Sequence, residues 1–404
     1  MRPTSAIVKS PLRLPAILAL LGCSLGLAFA LSSTADYASH LDRQLHDLHC
    51  SFVPGASAEG NSQACRAAMY SPYSAVLKDT YWGGIPISLF ALGAFSGLAG
   101  FATYLLVAGE RASRRALGSF AWLSLTPLTV SLLMLVISLT RLGALCKTCT
   151  GIYVASLLLA ISGLWAYFAA RKAPRPSGNW IIAVLWPLLL GVVTLVPTAV
   201  YAASAPDHTP YLETCGSLPH PEDKTSSLLQ LRTKNPKRAA LVFEDPLCPT
   251  CKAFHERLVV EGIFEQLDLS LALFPLDSEC NWMLSEPMHP GACTLSKAVI
   301  CGGADARAVL EWSYEEQERL AELGKAGKAQ LRAAIRERFG PALDKCIDAR
   351  QTVQKLNNQL HFAAENAILV STPQLYLGAQ RVCDEDTDIG LRFTLSRLAP
   401  EVLP

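Results

Sequence analysis

The stretch AALVFEDPLCPTCKAFHERLVV, residues 239–260, decides how the second half of this 404-residue chain folds. Ala239–Glu244 is a short apolar run bounded by turn residues, the pattern of a buried strand. Asp245-Pro246-Leu247 then turns the chain, and Cys248-Pro249-Thr250-Cys251 opens a helix that continues as KAFHERLVV. This order puts Cys248 at a helix N-terminus, where unpaired N–H groups and the helix dipole favour a thiolate. Pro249 suits the first helical position, because the N–H it lacks would have had no partner there. Cys251, one turn in, is shielded and suited to resolve a mixed disulfide formed by attack of the Cys248 thiolate.

Far downstream stands Ser371-Thr372-Pro373-Gln374-Leu375-Tyr376-Leu377. A proline there is in one reading an ordinary strand-start residue. Together with the strand and the C-x-x-C helix, however, Thr372-Pro373 resembles the cis-proline segment that faces the C-x-x-C of the thioredoxin fold. The phrase DPLCPTC looks most like the periplasmic branch of that superfamily. Leu267–Leu276 is a second strand candidate, and Ala306–Leu323 and Ala329–Arg338 are helical. Such a layout fits a helical insertion, at about 278–365, as in the periplasmic disulfide oxidases. His255, on the C-x-x-C helix, reads as a solvated or packing histidine with no assigned role.

Upstream, the composition changes character. Charged residues are 17% of the whole chain and the formal net charge is +1, so no basic surface points to nucleic acid. Five apolar runs are long enough for a bilayer: Leu14–Leu31, Ile85–Ala108, Leu117–Leu139, Thr150–Ala170 and Trp180–Tyr201. Arg2, Lys9 and Arg13, then Arg111, Arg114 and Arg115, then Arg171, Lys172 and Arg175 all fall on one side in a five-span arrangement. That bias places the N-terminus inside, and the segment 32–84 and everything after Tyr201 outside. Ala28-Phe29-Ala30 offers a rival reading of the first run as a cleaved signal peptide, which leaves the remaining orientation unchanged. Tyr81 and Trp82 are expected in an interfacial aromatic belt.

The chain has thirteen cysteines, and all but Cys23 lie on or near the outer face of this arrangement. Cys23 reads as a small packing residue within a span. Zinc is the alternative for paired C-x-x-C motifs, but one pair is at the membrane rim, the other in the soluble half, and no histidine pair stands beside either. No metal is expected. Cys301 and Cys346 bracket the helical insertion, Cys280 and Cys293 bracket a Pro/His-rich loop, and Cys215 and Cys383 remain. Six cysteines allow fifteen connectivities, and stability bridges are the expectation for all six.

The second C-x-x-C, Cys146-Lys147-Thr148-Cys149, begins the fourth span. A dithiol against apolar walls at a membrane surface can meet a lipid-soluble redox partner. No G-x-G-x-x-G fingerprint for a nicotinamide opens a helix after a strand. A C-x-x-C starting a fourth span, two cysteines (Cys50 and Cys65) in the first outside loop, Ser71-Pro72-Tyr73-Ser74, and Gly84-Ile85-Pro86-Ile87-Ser88-Leu89 leading into the second span resemble the vitamin K epoxide reductase family. Bacterial members often carry a fifth span and a fused thioredoxin-like domain. One departure is the spacing of Cys50 and Cys65, wider than usual in the family, with a Gly/Ser/Ala-rich stretch between them.

The resemblance implies a fold class: an all-α transmembrane bundle (a four-helix core plus a fifth linker span), then an α/β thioredoxin-like domain with a helical insertion. Its expected parts are a cytoplasmic flank 1–13, a membrane domain 14–172, a linker span 180–203 and a soluble domain 204–404. It also implies a relay. Exported protein thiols reduce the Cys248–Cys251 disulfide, Cys248 exchanges with Cys65, and Cys50 exchanges with Cys146. Cys149 faces a membrane quinone, ubiquinone or menaquinone, as electron acceptor. Ser74 matches a serine that the family places near the quinone; its alternative is a cap on a short interfacial helix. The implied location is the inner membrane, with the soluble domain in the periplasm. Competing functions are a membrane-tethered thiol isomerase or chaperone, and a reductase running electrons outward.

Overall fold

A computed structural model describes residues 11–42, 68–69, 71–142, 146–171, 176, 180–387 and 389–403. The chain divides into two compact units, Met1–Pro206 and Asp207–Pro404.

Among its described residues, the first unit holds five helices long and apolar enough to cross a membrane. They are α1 (Arg13–Ala38), α2 (Ile87–Ala108), α3 (Arg114–Ile137), α4 (Lys147–Arg171) and α5 (Trp180–Ser204). The helices α1, α4 and α5 extend beyond their apolar runs, whereas the run Ile85–Ala108 starts before α2 and the run Leu117–Leu139 ends beyond α3. Hydropathy marks only the lipid-facing middle, whereas backbone hydrogen bonding carries α1 on through Ser33, Thr34, Asp36 and Tyr37. The helix α4 begins at Lys147, so Cys149 belongs to its first turn. Ser113 caps α3, its hydroxyl accepting from the Ala116 N–H at 3.2 Å.

Helix α1 packs against α2 and α4, α3 against α4, and α5 against α2 and α3. In lipid, close backbone approach replaces the hydrophobic drive, so small residues sit at the seams. Gly151 is the clearest case: a Cβ there would lie 2.4 Å from the Phe29 ring of α1. Phe101 of α2 stacks on Trp186 of α5, centroids 4.4 Å apart and planes within 5°, which docks the fifth helix on the bundle. Preceding α2, β1 (Ala75–Val76) pairs antiparallel with β2 (Ile85–Pro86). The return needs Gly84 at φ +72°, where a Cβ would meet the Val76 carbonyl at 2.6 Å. Trp82, inside this turn, is buried in protein. The aromatic-belt expectation for it is therefore corrected: it is buried within the protein.

The second unit is built on a five-stranded sheet in the order β3-β5-β4-β6-β7. The strands are β3 (Leu229–Leu231), β4 (Arg238–Glu244), β5 (Leu267–Leu273), β6 (Gln374–Leu377) and β7 (Gln380–Arg381). The central pair, β4 and β5, is parallel and linked by α6 (Pro249–Val260); the other pairings are antiparallel. Central strands are covered on both faces, which explains the unbroken apolar run of β4. Val242 joins Leu271 and Leu375 in one core, while Leu241 and Phe243 join Phe274 and Tyr376 in the other.

Between β5 and β6 the described chain forms six helices: α7 (Ala292–Gly302), α8 (Ala306–Glu315), α9 (Gln317–Ala326), α10 (Lys328–Phe339), α11 (Pro341–Cys346) and α12 (Arg350–Glu365). A last helix, α13, spans Leu391–Leu398. This is a thioredoxin-like fold with a helical insertion. Among the described residues three disulfides staple it: Cys215–Cys383, Cys280–Cys293 and Cys301–Cys346. The last two join cysteines that bracket a loop and the helical insertion in the sequence, and the first joins the remaining two.

Candidate active sites

Among the described residues, each unit carries one dithiol at a helix start. In the soluble unit Cys248 is the N-cap residue of α6 and Pro249 takes the first helical position. Both cysteines are buried, and both are free thiols. The Thr372–Pro373 peptide is cis, and the Thr372 carbonyl lies 3.5 Å from Cys248 Sγ. The structure thus brings Pro373 to the dithiol from far along the chain: the Thr250 hydroxyl and the Thr372 carbonyl, 122 residues apart, meet at 3.0 Å. The Thr250 hydroxyl is also 2.8 Å from Cys248 Sγ. It can turn from the carbonyl to donate to the sulfur once the thiol ionises.

The two sulfurs differ in acidity. Hydrogen bonding from Cys251, helped by Thr250, holds Cys248 down at about 6 despite its burial. Burial first, then the hydrogen bond with Cys248 and the charge of that sulfur, push Cys251 well above the ordinary thiol range. At pH 7 Cys248 is then about ten to one in favour of thiolate, while Cys251 keeps its proton until a base removes it. The Asp245 N–H donates to Cys251 Sγ at 3.4 Å.

Three residues near this dithiol were not singled out from sequence. Glu244, the last residue of β4, is fully buried and accepts from the Tyr314 hydroxyl at 3.1 Å. Burial raises its carboxyl to about 7, against the pull of His255 and Tyr314. A carboxyl that titrates near neutrality can hold or release a proton beside Cys251. Gln317 of α9 donates to the carbonyls of Pro246 at 3.2 Å and Cys248 at 3.1 Å, fixing the active-site turn from the insertion. Asp245 is buried and bonded to His289. His255 is not solvated: it is buried between Glu244 and Glu311, with nitrogen–oxygen distances of 3.9 and 3.6 Å.

In the membrane unit Cys146 stands immediately before α4 and its sulfur is 2.9 Å from the Thr148 hydroxyl. That arrangement repeats the Cys248–Thr250 contact. Both cysteines border a cavity of about 620 Å³ with mostly apolar walls. The wall includes Ser74, which the sequence assigned here, and Tyr153, which it did not; Leu190 of α5 closes another side. Tyr153 is four residues past Cys149, on the same helix face, and that spacing is the signal that would have found it. Ser74 does not cap a helix. Its hydroxyl donates to the Ser71 carbonyl at 2.9 Å within a turn, and its own carbonyl accepts from Ile87 N–H at 3.0 Å. Cys50 and Cys65 lie outside the described residues. A mostly apolar cavity of this size can take a small organic ligand. Its hydroxyls can meet polar atoms of that ligand, and its thiols can supply electrons.

Two dithiols of this kind, one on a thioredoxin-like sheet and one in a transmembrane bundle, define a membrane-bound thiol–disulfide oxidoreductase. Within the chain, residues 17–164 match the Vitamin K epoxide reductase family. No curated protein matches the chain. Among solved structures, it is similar to the oxidoreductase DsbA from Xylella fastidiosa at 18% identity, over 42% of this chain and 91% of that one, with a TM-score of 0.32. It is also similar to Proteus mirabilis ScsC in a compact conformation, at 16% identity over 55% of this chain and 98% of that one, with a TM-score of 0.30.

Proposed function

We propose that this protein forms disulfide bonds in exported proteins and passes the electrons to a membrane quinone. The observation that carries the proposal is the position of Cys146 and Cys149 on the wall of a mostly apolar cavity of about 620 Å³ within a transmembrane bundle. Only a lipid-soluble acceptor suits such a site, and Ser74 and Tyr153 would offer it hydrogen bonds.

In the oxidised soluble unit, a thiolate of the exported substrate attacks the Cys248–Cys251 disulfide, and its second thiol resolves the mixed disulfide. The substrate gains one disulfide; Cys248 and Cys251 gain two electrons and two protons. Cys65 and Cys50 then carry the exchange to Cys146, and Cys149 delivers two electrons and two protons to the quinone, giving a quinol. Cys248 attacks because it is the acidic, helix-capping sulfur, and Glu244 can give Cys251 a proton when that sulfur is expelled and take it back when Cys251 must attack a mixed disulfide. Pro373 closes the surface against which the substrate strand exchanges.

We assign the membrane domain to 14–172, the fifth span to 180–203 and the soluble domain to 204–404. The inner membrane, with the soluble domain in the periplasm, is the matching location. Arg111, Arg114, Arg115 and Arg171 support it by gathering at helix ends opposite to Cys146.

The test is quinone absorbance in the full-length protein in detergent, with a reduced protein substrate and a short-tailed ubiquinone or menaquinone. Wild type should reduce the quinone. Cys149→Ala should stop reduction with every donor, and Cys65→Ala and Cys248→Ala should block electrons from the protein substrate. Absence of quinone reduction under every condition would overturn the proposal in favour of a tethered thiol chaperone.

A further inference from the structure

The two residues between Cys248 and Cys251 are Pro249 and Thr250, neither of which carries charge. The nearest acid along the chain, Asp245, is completely buried and tied to the dithiol through its backbone. Its N–H donates to Cys251 Sγ at 3.4 Å, and its carbonyl accepts from Cys248 N–H at 3.0 Å. A buried carboxylate in that place opposes a second negative charge on Cys248. Something must compensate it.

His289 does so. Its Nδ1 lies 2.7 Å from Asp245 Oδ2, an oxygen that also accepts from Leu276 N–H at 2.8 Å; Asp245 Oδ1 accepts from Leu247 N–H at 2.7 Å. The loop carrying His289 is pinned on both sides. The N–H groups of Met288 and His289 both donate to the Leu276 carbonyl at 2.9 Å. Asp277 accepts from Gly291 N–H at 2.9 Å, and the Cys280–Cys293 disulfide closes the loop. The histidine side chain keeps 20% of its surface, so it sits at the edge of the site, where an imidazolium remains hydrated on one side.

We infer that the Asp245–His289 pair, held in place by the Cys280–Cys293 loop, is a positioning element that neutralises the buried charge behind the dithiol and so keeps Cys248 ready to attack. A cationic residue between the two cysteines would do this more directly; here a distant loop supplies the charge. The charged and titratable groups around the element are Asp245 and Asp277 on the histidine side, and Cys251, Glu244 and Tyr314 on the Cys248 side. Hydrogen bonding to Asp245, with the charges of Asp245, Cys248 and Asp277, raises His289 above its ordinary value in spite of partial burial. Thiolate and imidazolium therefore coexist from about pH 6 upward until His289 loses its proton.

The inference rests on Cys248 being the attacking thiol, but its test does not involve quinone. The readout is the pH dependence of Cys248 alkylation in the reduced full-length protein, followed peptide by peptide by mass spectrometry. His289→Asn keeps a hydrogen-bond donor for Asp245 and removes the charge. It should move the Cys248 midpoint up by about one unit, so that the rate at pH 6 falls several-fold. His289→Arg, a permanent cation, should hold the midpoint near that of wild type. The double variant Asp245→Asn/His289→Asn removes both charges and should bring the midpoint back toward wild type. A merely structural role would make the double variant at least as perturbed as His289→Asn, and that result would overturn the inference. So would an unchanged midpoint in His289→Asn. A failed quinone assay with these shifts intact would count against the proposed oxidase alone.

Discussion

Replacing Glu244 by glutamine should stabilise the soluble unit at high pH while slowing its chemistry. The carboxyl lies at the end of β4, fully buried, with the Tyr314 hydroxyl 3.1 Å away and His255 Nδ1 at 3.9 Å. Burial raises it from its ordinary 4.5 to about 7. The sign follows from which form the fold prefers. An acid raised on folding binds its proton more tightly in the native state, so the unit gains stability as pH falls through 7 and the gain is complete below about 4.5. Above pH 7 the buried carboxylate costs roughly 3 kcal/mol, and integration between pH 5 and pH 8 gives a difference of roughly 2–3 kcal/mol. The glutamine side chain would be neutral throughout, and its carbonyl would still accept from Tyr314. Its amide, without a partner, costs about 1–2 kcal/mol at every pH. The variant should therefore gain on wild type at pH 8 and lose slightly at pH 5. Hydrogen exchange of the β4 amides in the full-length protein, corrected for intrinsic rates, measures this directly. The same variant should lose the pH dependence near 7 in the exchange step where Cys251 must ionise. An equal stability change at both pH values would refute the reasoning and leave Glu244 as only an anchor for Tyr314.

Three further outcomes are expected. Cys301→Ser/Cys346→Ser opens a loop of 45 residues and should lower the stability of the soluble unit by about 4 kcal/mol, read by urea unfolding, with Cys248 still reactive in the surviving folded fraction. Gly151→Val should push Phe29 off α4, reducing thermal stability in detergent and quinone reduction together, because the seam lies two residues past Cys149. Thr250→Val removes the hydroxyl 2.8 Å from Cys248 and should raise the Cys248 alkylation midpoint by about half a unit, with Thr148→Val slowing Cys146 alkylation in parallel.

Much of this architecture is legible because it is written locally. Five apolar runs, a strand followed at once by C-P-T-C, and a threonine-proline before a strand each depend on a handful of adjacent residues. The disulfides are half legible, since Cys280 and Cys293 visibly enclose one loop and Cys301 and Cys346 one insertion. What escapes depends on contacts that no local pattern records. Tyr314 reaches Glu244 across 70 residues, Gln317 reaches Cys248 across 69, and His289 reaches Asp245 across 44. Helix ends escape for another reason: hydropathy cannot distinguish the end of a helix from the end of its lipid-facing part, so Asp36 and Tyr37 of α1 fall outside the apolar run that marks it.

The two dithiol sites share a construction and differ in their surroundings. Each places one cysteine just before a helix, a threonine two residues later with its hydroxyl within 2.9 Å of that sulfur, and a second cysteine in the first turn. The helix start and the hydroxyl favour a thiolate in both. Around Cys248 and Cys251 stand Glu244, Asp245, His289 and Tyr314, groups that ionise or hold protons. Exchange between proteins conserves protons overall, but each thiol must lose its proton before it attacks and each expelled thiolate must regain one, and residues that titrate can hold those protons. Around Cys146 and Cys149 the polar groups on the cavity wall are chiefly hydroxyls, those of Ser74, Thr148 and Tyr153 among them, with Asp36 a carboxyl on the same wall. For the quinone acceptor proposed above, these hydroxyls are groups that can orient the ring oxygens. On the function proposed above, the site rich in titrating groups suits a protein partner in water, and the mostly apolar cavity suits an acceptor from the lipid.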